Sequence, residues 1–274
     1  MTISKKELEK YKNIAKNIRR EIIKTSYRVK STHIGSSFST IEILTALYFK
    51  YLKINPKNPL NKNRDKFILS KGHACPALYT ILFQRGFFNK QYFEGFGVNN
   101  GTLEHHPNLD AKTGIEASTG SLGHGLSLGV GMALAAKYNK SKQKIYVLLS
   151  DGELNEGSNW EAIMFAAQHK LDNLIAIVDC NKIQALGNTK DIIDLKPLAN
   201  KWTAFNWGVK EINGHNFKEI FNALEKIPFK KNKPSVIVAN TVKGKGVSFM
   251  ENKLLWHYRC PDDNEYKKAL KELN

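Results

Sequence analysis

An aspartate and an asparagine with suitable side chains for a metal site follow two separate apolar runs of this chain. Asp151 follows the run at residues 145–149, and Asn181 follows the run at residues 174–178. Continuous apolar runs of this length predict buried strands of a parallel sheet, so each polar side chain would stand where a strand ends. Mg²⁺ prefers hard oxygen ligands and completes its octahedron with water and phosphate oxygens. One carboxylate and one amide oxygen would therefore suffice as side-chain ligands of a metal-diphosphate site.

The spacing of these two residues predicts that they lie side by side. The interval of 181 − 151 = 30 residues holds one predicted helix at 158–169, which makes a strand-helix-strand unit with adjacent parallel strands. Ligands of open α/β sheets bind at the carboxyl ends of such strands, and Gly152 would let a phosphate approach the backbone. A simpler explanation stays open, because Asp-Gly after a strand is often only a turn and a lone asparagine is often a cap.

The rest of the chain alternates predicted helices and strands. Helices are predicted at residues 4–29, 39–51, 77–84, 122–138, 158–169, 217–227 and 264–273. Strands are predicted at residues 67–69, 144–149, 174–178, 207–211 and 235–240. This alternation predicts an α/β fold with a mostly parallel central sheet and helices on both faces. The sequence has no Pro/Gly/Ser-rich linker or internal repeat, so we expect residues 1–274 to form a single domain.

The composition argues against several classes of protein. The chain has a net charge of +17, but its basic residues are mostly lysines scattered along the whole sequence. They accompany no zinc-finger spacing, basic zipper or aromatic RNA-binding motif, so nucleic-acid binding is not expected. The amphipathic beginning of the chain is neither a signal peptide nor a membrane span. Cys75, Cys180 and Cys260 form no CxxC pair, which favours free thiols in a reducing cytoplasm.

Four histidines stand in short motifs at predicted loops or helix entries. They are His33 in STHIGSS, His73 in LSKGHACP, His106 in EHHPN and His257 in LWHYR. Imidazole suits proton transfer because its pKa lies near neutrality, although a single loop histidine is more often a surface or hydrogen-bonding residue. The remaining histidines are expected to have local structural roles: His105, His124, His169 and His215.

A glycine-rich stretch at residues 119–131 opens a predicted helix. It lacks the lysine of the P-loop motif GxxxxGK[ST], and no strand directly precedes it as a Rossmann fingerprint requires. Close helix packing through Gly125, Gly129 and Gly131 is one explanation for its composition. A loop that contacts a cofactor through its backbone is compatible with the same glycines.

These motifs resemble the amino-terminal half of transketolase. The Asp151-Gly152 to Asn181 arrangement is similar to the thiamine diphosphate signature, and the segments GIEASTGSLGHGLSLGVGMALAAK, LDNLIAIVDCNKIQALG and NTVKGKGVSFMEN are similar to family motifs. The similarity covers residues 25–257 and is closest to the split transketolases, in which this half is a separate polypeptide. It implies a thiamine-diphosphate-binding fold and transfer of a two-carbon ketol unit from a ketose phosphate to an aldose phosphate.

The resemblance implies roles for individual residues. Asp151 and Asn181 would bind magnesium, or another divalent cation such as calcium or manganese, and we predict the backbone carbonyl of Ile183 as a third ligand. His33 and His106 would hydrogen-bond the donor ketose and assist proton transfers, and His257 would contribute to catalysis from beside the diphosphate. The implied cofactor-binding residues are His73, Gly120, Leu122, Gly152, Glu156, Asn181 and His257.

Two glutamates follow the Asp-Gly pair. In the family, the residue that matches Glu156 hydrogen-bonds to the catalytic glutamate of the partner half, although a carboxylate also suits a helix start. Glu153 is expected to be a first-turn or solvated acid. Four positions depart from the family pattern: His124 replaces glutamine, Ser150 and Tyr258 replace glycines, and Asn216 replaces aspartate. The bulk of Tyr258 is the change expected to matter, because it follows His257 directly.

The pyrimidine-binding and C-terminal domains of the family are absent from this sequence. In the family, a glutamate of the pyrimidine-binding domain is needed to deprotonate the thiazolium carbon. We therefore expect this chain to act only with a C-terminal transketolase subunit, as part of a homodimer or heterotetramer. A positive surface suits an acidic partner or sugar phosphates. The alternatives are half of another thiamine diphosphate enzyme, of the deoxyxylulose-phosphate-synthase or dehydrogenase type, and a non-catalytic subunit that keeps the fold.

Overall fold

The computed structural model describes residues 3–274, and its centre is a sheet of parallel strands. The strands are β1 (Lys66–Leu69), β2 (Ile145–Ser150), β3 (Leu174–Cys180), β6 (Gly208–Asn213) and β7 (Ser235–Asn240). They are hydrogen-bonded in the order β1-β2-β3-β7-β6, and each pairing is parallel. A separate antiparallel hairpin consists of β4 (Ile183–Gln184) and β5 (Gly187–Asn188).

The α-helices connect the strands and flank the sheet. Within the described residues they are α1 (Lys5–Val29), α2 (Ile34–Phe38), α3 (Ile41–Ala46), α4 (Cys75–Arg85), α5 (Lys90–Glu94), α6 (Gly125–Tyr138), α7 (Gly157–Gln168), α8 (Thr189–Ile192), α9 (Leu198–Ala204), α10 (Phe217–Glu225) and α11 (Asp263–Glu272). The long helix α1 begins after Ser4, whose side chain accepts a hydrogen bond from the Glu7 amide. Among residues 3–274, no helix is long and apolar enough to cross a membrane.

The sheet separates two hydrophobic cores. Successive residues of β2 point to opposite faces, so that Tyr146 and Leu148 join one core while Val147 and Leu149 join the other. Helices α1, α3, α4 and α10 cover the first core, and α6, α7 and α9 cover the second. Every residue of β2 and β3 is buried, which explains their continuous apolar runs. The predicted fold class, a mostly parallel sheet with helices on both faces, is confirmed.

The main differences from the sequence-based prediction concern short elements. The helix predicted at 39–51 is α3 followed by a π-helical turn at Leu47–Tyr51. The prediction lacked α2, α5, α8, α9 and the β4-β5 hairpin. Elements this short carry little hydrophobic periodicity, because helices of one or two turns depend on tertiary packing for their stability. Two of them, α2 and the hairpin, border the candidate site.

Candidate functional site

Asp151 and Asn181 lie at the same carboxyl edge of the sheet. Strands β2 and β3 are neighbours in parallel register, with Ser150 opposite Asp179, and the Asp151 amide donates a hydrogen bond to the Asp179 carbonyl at 3.2 Å. Both side chains are buried. The strand-helix-strand spacing therefore brings the two residues together, as the sequence predicts.

The oxygen atoms at this edge can still accept a cation. Asp151 Oδ1 accepts a hydrogen bond from the Gly152 amide at 2.9 Å, and Oδ2 accepts one from the Lys182 amide at 2.7 Å. Asn181 Oδ1 accepts one from the Ile183 amide at 3.1 Å. These bonds use only part of the lone pairs of hard oxygen donors, so the donor set fits a magnesium-like ion.

The electrostatics of Asp151 also favour a bound cation. Burial, together with the neighbouring charge of Asp179, raises the pKa of Asp151 to about 6. A divalent cation would offset both effects. Within residues 3–274, no three His, Cys, Asp or Glu side chains converge as a metal site, so a cation at this edge would depend on amide and carbonyl oxygens beside Asp151.

A buried ion pair beneath this edge fixes the orientation of Asn181. Lys71 Nζ lies 2.5 Å from Asp179 Oδ2, and both side chains are fully buried. Asp179 also accepts hydrogen bonds from Ser39 Oγ at 2.6 Å, from Asn181 Nδ2 at 2.9 Å and from the Thr241 hydroxyl. Burial alone would raise the pKa of Asp179, but the Lys71 charge and these bonds hold it below its usual value. Because Asp179 accepts a hydrogen bond from the amide nitrogen of Asn181, the amide oxygen of Asn181 stays available to a cation. We call Asp151, Asn181 and the Ile183 carbonyl, the predicted cation ligands, the metal edge.

A second buried lysine, Lys243, reaches the same edge from the segment after β7. Its Nζ donates a hydrogen bond to the Ile183 carbonyl at 3.1 Å and lies 2.9 Å from His257 Nδ1. Burial, and next the charge of Lys71, lower the pKa of Lys243 to about 8. The Ile183 carbonyl predicted as a metal ligand thus has an ammonium partner here, and its second lone pair remains for another contact.

Three of the four predicted histidines form one cluster. The ring centroid of His33 lies 5.2 Å from that of His73 and 4.8 Å from that of His257, and the centroids of His73 and His257 are 5.5 Å apart. Burial is the largest cause that lowers their pKa values, to about 4 for His33, to about 3 for His257 and well below the usual value for His73. The three rings are therefore neutral at pH 7, and each has one donor and one acceptor nitrogen.

His106 lies at the exposed mouth of this cluster. Its charge contributes to the lowered pKa of His33, so the two side chains are within electrostatic reach of each other. The His106 ring lies over Gly120, where an added Cβ would be 2.9 Å from His106 Cδ2. Gly120 has φ +156°, which also disfavours a side chain. His33, His73, His106 and His257 thus come together from four separate segments of the chain.

The glycine-rich loop is anchored to the edge by Glu153. This carboxylate is fully buried and accepts hydrogen bonds from the Ser70 hydroxyl, from the Gly123 amide at 3.0 Å and from the Ser150 amide at 3.1 Å. Glu153 lies in the first turn of the 3₁₀ helix Gly152–Asn155, as one of the two expectations had it, whereas the other expectation, a solvated acid, is wrong. The sequence does not reveal that a serine just after β1 and a glycine of a distant loop both direct their donors toward this position.

The remaining predicted cofactor-binding residues border the same region. Leu122 is half-buried in the glycine-rich loop, and Glu156 is exposed just before α7. At Gly152 an added Cβ would lie 2.7 Å from the Gln184 Cβ, so the close approach of the β4-β5 hairpin requires a glycine there. The hairpin also contacts the residue after His257. The Tyr258 hydroxyl donates a hydrogen bond to the Ala185 carbonyl in the turn of the hairpin.

The other histidines lie outside the cluster or have local contacts. The His105 ring packs edge-on against Phe96 at 5.3 Å, His124 Nδ1 lies 3.2 Å from the Leu122 carbonyl, and the His169 ring stacks on Phe165 at 4.1 Å. Lys71, Asp179 and Lys243 were missed by sequence reasoning. A charged residue at the end of a buried strand, such as Asp179 in LIAIVDC, is the signal that could have revealed a buried partner.

The chain is similar to transketolases in sequence and in structure. Residues 10–273 match the family model described as transketolase, thiamine diphosphate binding domain. The chain is 41% identical to one subunit of the apulose-4-phosphate transketolase of Phocaeicola vulgatus, over 100% of this chain and 95% of the relative. It is 45% identical over 241 residues to the 6-deoxy-6-sulfo-D-fructose transketolase subunit of Clostridium sp., which covers 88% of each chain.

Longer relatives match this chain over part of their length. Human transketolase is 33% identical over 97% of this chain, and the match spans 42% of the human protein. The crystal structure of transketolase from Campylobacter jejuni superposes with a TM-score of 0.90 at 32% identity, over 100% of this chain and 43% of that one. The chain therefore spans about two-fifths of the length of these two transketolases.

Proposed function

The chain belongs to the transketolase family through its thiamine diphosphate binding domain, and from this premise we propose that it is the N-terminal subunit of a two-component transketolase. The proposed reaction moves a two-carbon ketol unit from a ketose phosphate to an aldose phosphate. The observation that carries this proposal is a difference in coverage. The chain matches 95% and 97% of relatives named as transketolase subunits, but only 42% of human transketolase.

We assign residues 1–274 to one domain that binds the diphosphate end of the cofactor. One five-stranded parallel sheet, with a core on each of its faces, supports this assignment, because a second domain would be expected to have a core away from this sheet. Mg²⁺, or Ca²⁺ or Mn²⁺ in its place, would bind to Asp151, Asn181 and the Ile183 carbonyl. Lys243 and His73 would face the diphosphate. Lys71 is paired with Asp179, whereas the ammonium of Lys243 contacts two uncharged groups, the Ile183 carbonyl and the His257 ring.

The glycine-rich loop would hold the rings of the cofactor. Gly120 offers its backbone there, and Leu122 would pack under the rings. Gly152 would lie against the diphosphate, with Glu156 directed toward the partner subunit. The exposed position of Glu156 before α7 supports that last role.

Bound thiamine diphosphate supplies carbanion stabilisation, and the chain's own residues orient the sugar and move its protons. His33 and His257 are neutral at pH 7, because their pKa values lie at about 4 and about 3. Their Nδ1 atoms already contact the Thr32 hydroxyl and Lys243 Nζ, so the Nε2 atoms would bind the sugar and take part in proton transfer. His106 is exposed at the mouth of the cluster and would reach the sugar from the solvent side.

Exposed apolar side chains support a partner subunit. Leu128 of α6 and Met164 of α7 have 43% and 50% of their surfaces exposed, on helices that pack against each other. Large exposed apolar patches mark protein interfaces, and these two side chains would contribute to one. We propose that a C-terminal subunit, with its catalytic glutamate, binds here, and that this chain forms a homodimer or a heterotetramer with that subunit. The net charge of +17 suits an acidic partner or anionic sugars.

We also propose a cytoplasmic location and a sugar phosphate donor. The three cysteines are free, as in a reducing compartment. The relatives named above act, by their names, on apulose 4-phosphate and 6-deoxy-6-sulfo-D-fructose. Both compounds therefore belong in a donor panel beside ordinary ketose phosphates.

The first test removes the carboxylate of the metal edge. In the complex of both subunits, Asp151→Ala should abolish binding of thiamine diphosphate with Mg²⁺ in calorimetry, because the diphosphate charges would lack their cation. Asp172→Ala is the matched control, since Asp172 lies just before β3, at the opposite edge of the sheet, and should bind like wild type. Unchanged affinity in Asp151→Ala would remove the proposed metal site.

The second test uses the assembled pair and a substrate panel. Ketol transfer should appear only when the C-terminal subunit is present, and size measurements should show a dimer or heterotetramer. Full turnover by a stable monomer of this chain at micromolar concentration would contradict the proposed assembly. Turnover with 2-oxo acids alone would indicate a different class of thiamine diphosphate enzyme, and no turnover with any donor would indicate a non-catalytic subunit.

A further inference from the structure

His215 lies outside the histidine cluster, in the turn between β6 and α10, and is bound at both ring nitrogens. Its Nδ1 lies 2.9 Å from Glu42 Oε2, and its Nε2 accepts a hydrogen bond from the Val242 amide at 2.8 Å. Glu42 is in turn held by Arg19, whose Nη1 and Nη2 bind the two carboxylate oxygens at 2.7 and 2.8 Å. Arg19 and Glu42 are both buried.

These contacts determine which ring nitrogen of His215 carries the proton. The Val242 amide can only donate, so Nε2 must be unprotonated. Nδ1 then carries the hydrogen and donates it to Glu42. Burial opposes the charge of Glu42, but Arg19 and His215 outweigh it and lower the pKa of this carboxyl to about 2. The carboxylate is therefore a permanent acceptor, and the imidazole ring is fixed in one tautomer and one orientation.

The backbone that His215 binds leads directly into the candidate site. Val242 precedes Lys243, the lysine whose ammonium contacts the Ile183 carbonyl and His257. The neighbouring residues are also tied down, because the Thr241 amide bonds to the Cys180 carbonyl at 3.2 Å and the Gly244 amide bonds to the Gly35 carbonyl at 3.0 Å. His215 supplies the corresponding contact for Val242, from outside the sheet edge.

The fit around Lys243 leaves little tolerance for movement of this segment. An added Cβ at Gly35 would lie 3.0 Å from Lys243 Cγ, so the lysine stem passes close over that glycine. Only 1% of Lys243 is exposed. A displacement of Val242 would therefore move the buried ammonium of Lys243, because the lysine stem is already in close contact with Gly35 and cannot absorb the shift.

We propose that His215 is a positioning residue that holds Lys243 in place for the anionic diphosphate group of the cofactor. This inference rests on the proposed function, in which Lys243 faces the diphosphate. In this arrangement, Arg19 fixes Glu42, Glu42 fixes the His215 ring, and the ring fixes the backbone at Val242. His215 touches neither cofactor nor sugar.

Two substitutions separate the two hydrogen bonds of His215. In His215→Asn, the amide nitrogen can stand near the position of Nδ1 and keep the bond to Glu42, but Val242 loses its acceptor. In His215→Gln, the longer side chain can bring its amide oxygen to the position of Nε2 and keep the bond to Val242, while the contact with Glu42 is weakened. Both variants lose about one buried hydrogen bond, so they should lower the unfolding temperature by similar amounts.

The positioning role predicts that cofactor binding separates these variants. In calorimetry with thiamine diphosphate and Mg²⁺ on the two-subunit complex, His215→Asn should bind about tenfold more weakly, since one buried hydrogen bond controls the position of Lys243. His215→Gln should bind within about twofold of wild type. Equal affinities in the two variants, whether both unchanged or both reduced, would overturn the proposal and leave His215 with a purely structural role.

A second measurement does not require the cofactor. In the full chain without ligand, the amide resonance of Val242 and the side-chain nitrogen resonance of Lys243 should both shift in His215→Asn and stay near wild type in His215→Gln. A Lys243 resonance that is unchanged in His215→Asn would refute the positioning role. If wild type itself fails to bind thiamine diphosphate, the proposed function fails, and these resonances still decide whether His215 positions Lys243.

Discussion

The metal edge and the histidine cluster are neighbours, but they are held in different ways. At the edge, Asp179 accepts hydrogen bonds from four side chains, and Glu153 accepts three. In the cluster, His33 Nδ1 bonds to the Thr32 hydroxyl at 2.8 Å and His257 Nδ1 contacts Lys243. Among residues 3–274, no side-chain hydrogen bond reaches the ring of His73 or His106.

This difference separates residues that build the site from residues that are available to a ligand. Buried charges such as Lys71 and Asp179 must satisfy each other, because an unpaired buried charge is costly. Neutral imidazoles that keep at least one ring nitrogen free cost less to bury and can bind an incoming sugar. We therefore expect substitutions at the edge to reduce stability, and substitutions in the cluster to reduce turnover at nearly unchanged stability.

The largest expected effect is on the buried ion pair. Lys71→Met should lower the free energy of unfolding by about 3–5 kcal/mol, because it leaves Asp179 buried without its cation. Denaturant unfolding of the full chain measures this change. Lys90→Met is the matched control: its exposed pair with Glu94 on α5 should contribute no more than about 1 kcal/mol. Equal effects of the two substitutions would show that burial of the Lys71–Asp179 pair does not make it more costly to break than an exposed pair.

The second prediction concerns turnover. In the two-subunit complex, His33→Asn, His106→Ala and His257→Ala should each lower kcat by about 10²–10⁴-fold, the usual contribution of a proton-transfer group. Asparagine replaces His33 because that residue has φ 63°, a conformation that asparagine tolerates better than alanine. Thermal unfolding should change little in all three variants.

The controls for the histidines follow from their positions. His169→Ala, at a ring that stacks on Phe165, should turn over like wild type. Cofactor affinity should survive in the His33 and His106 variants, since these side chains face the sugar. Small and equal losses of rate at all four positions would mean that the chain keeps the fold of its family without the chemistry.

The third prediction concerns the stability of the cluster in acid. The pKa of His33 is about 4 in the folded chain, below its ordinary value of 6.5, so the unfolded chain binds more protons between these values. The free energy of unfolding should therefore fall as the pH falls from 6.5 toward 4. His257, with a pKa of about 3, also lowers the free energy of unfolding as the pH falls.

The comparison with a variant isolates the contribution of His33. The difference in unfolding temperature between wild type and His33→Asn should move in favour of the variant as the pH falls through this window. Above pH 6.5 it should be constant, because His33 is then neutral in both folded and unfolded chains. Parallel pH profiles of the two proteins would show that burial of His33 does not lower its pKa.

The smallest expected effect is at Tyr258, which links the two regions. Its hydroxyl bonds to the Ala185 carbonyl in the hairpin, and half of its surface is exposed. Tyr258→Phe should cost about 0.5–1.5 kcal/mol of stability, the range for one hydrogen bond. It should also raise KM for the donor more than it lowers kcat, because it loosens the hairpin beside His257. A change in kcat as large as that of His257→Ala would show that Tyr258 itself takes part in the reaction.

Much of the fold follows from local sequence patterns. Continuous apolar runs predicted β2 and β3, and a spacing with one helix between them predicted their parallel pairing. The sequence did not predict that β7 lies between β3 and β6, because nothing local encodes the order of strands joined by crossovers. That order matters for the site, since it brings Thr241 and Lys243 beside Asp179 and Ile183.

The sequence by itself determined the family, the α/β class and which side chains, a carboxylate and an amide, stand at the metal edge. Apolar periodicity and motif spacing are local properties of the chain, so they can be recognised from the sequence alone. Only the tertiary structure decided which charges are buried and paired. The sequence predicts a first-turn or solvated position for Glu153 and gives no role to Lys71, yet both are fully buried. Their environments depend on partners more than 80 residues away in the sequence, Ser70 and Asp179, and burial by such distant contacts leaves no local pattern.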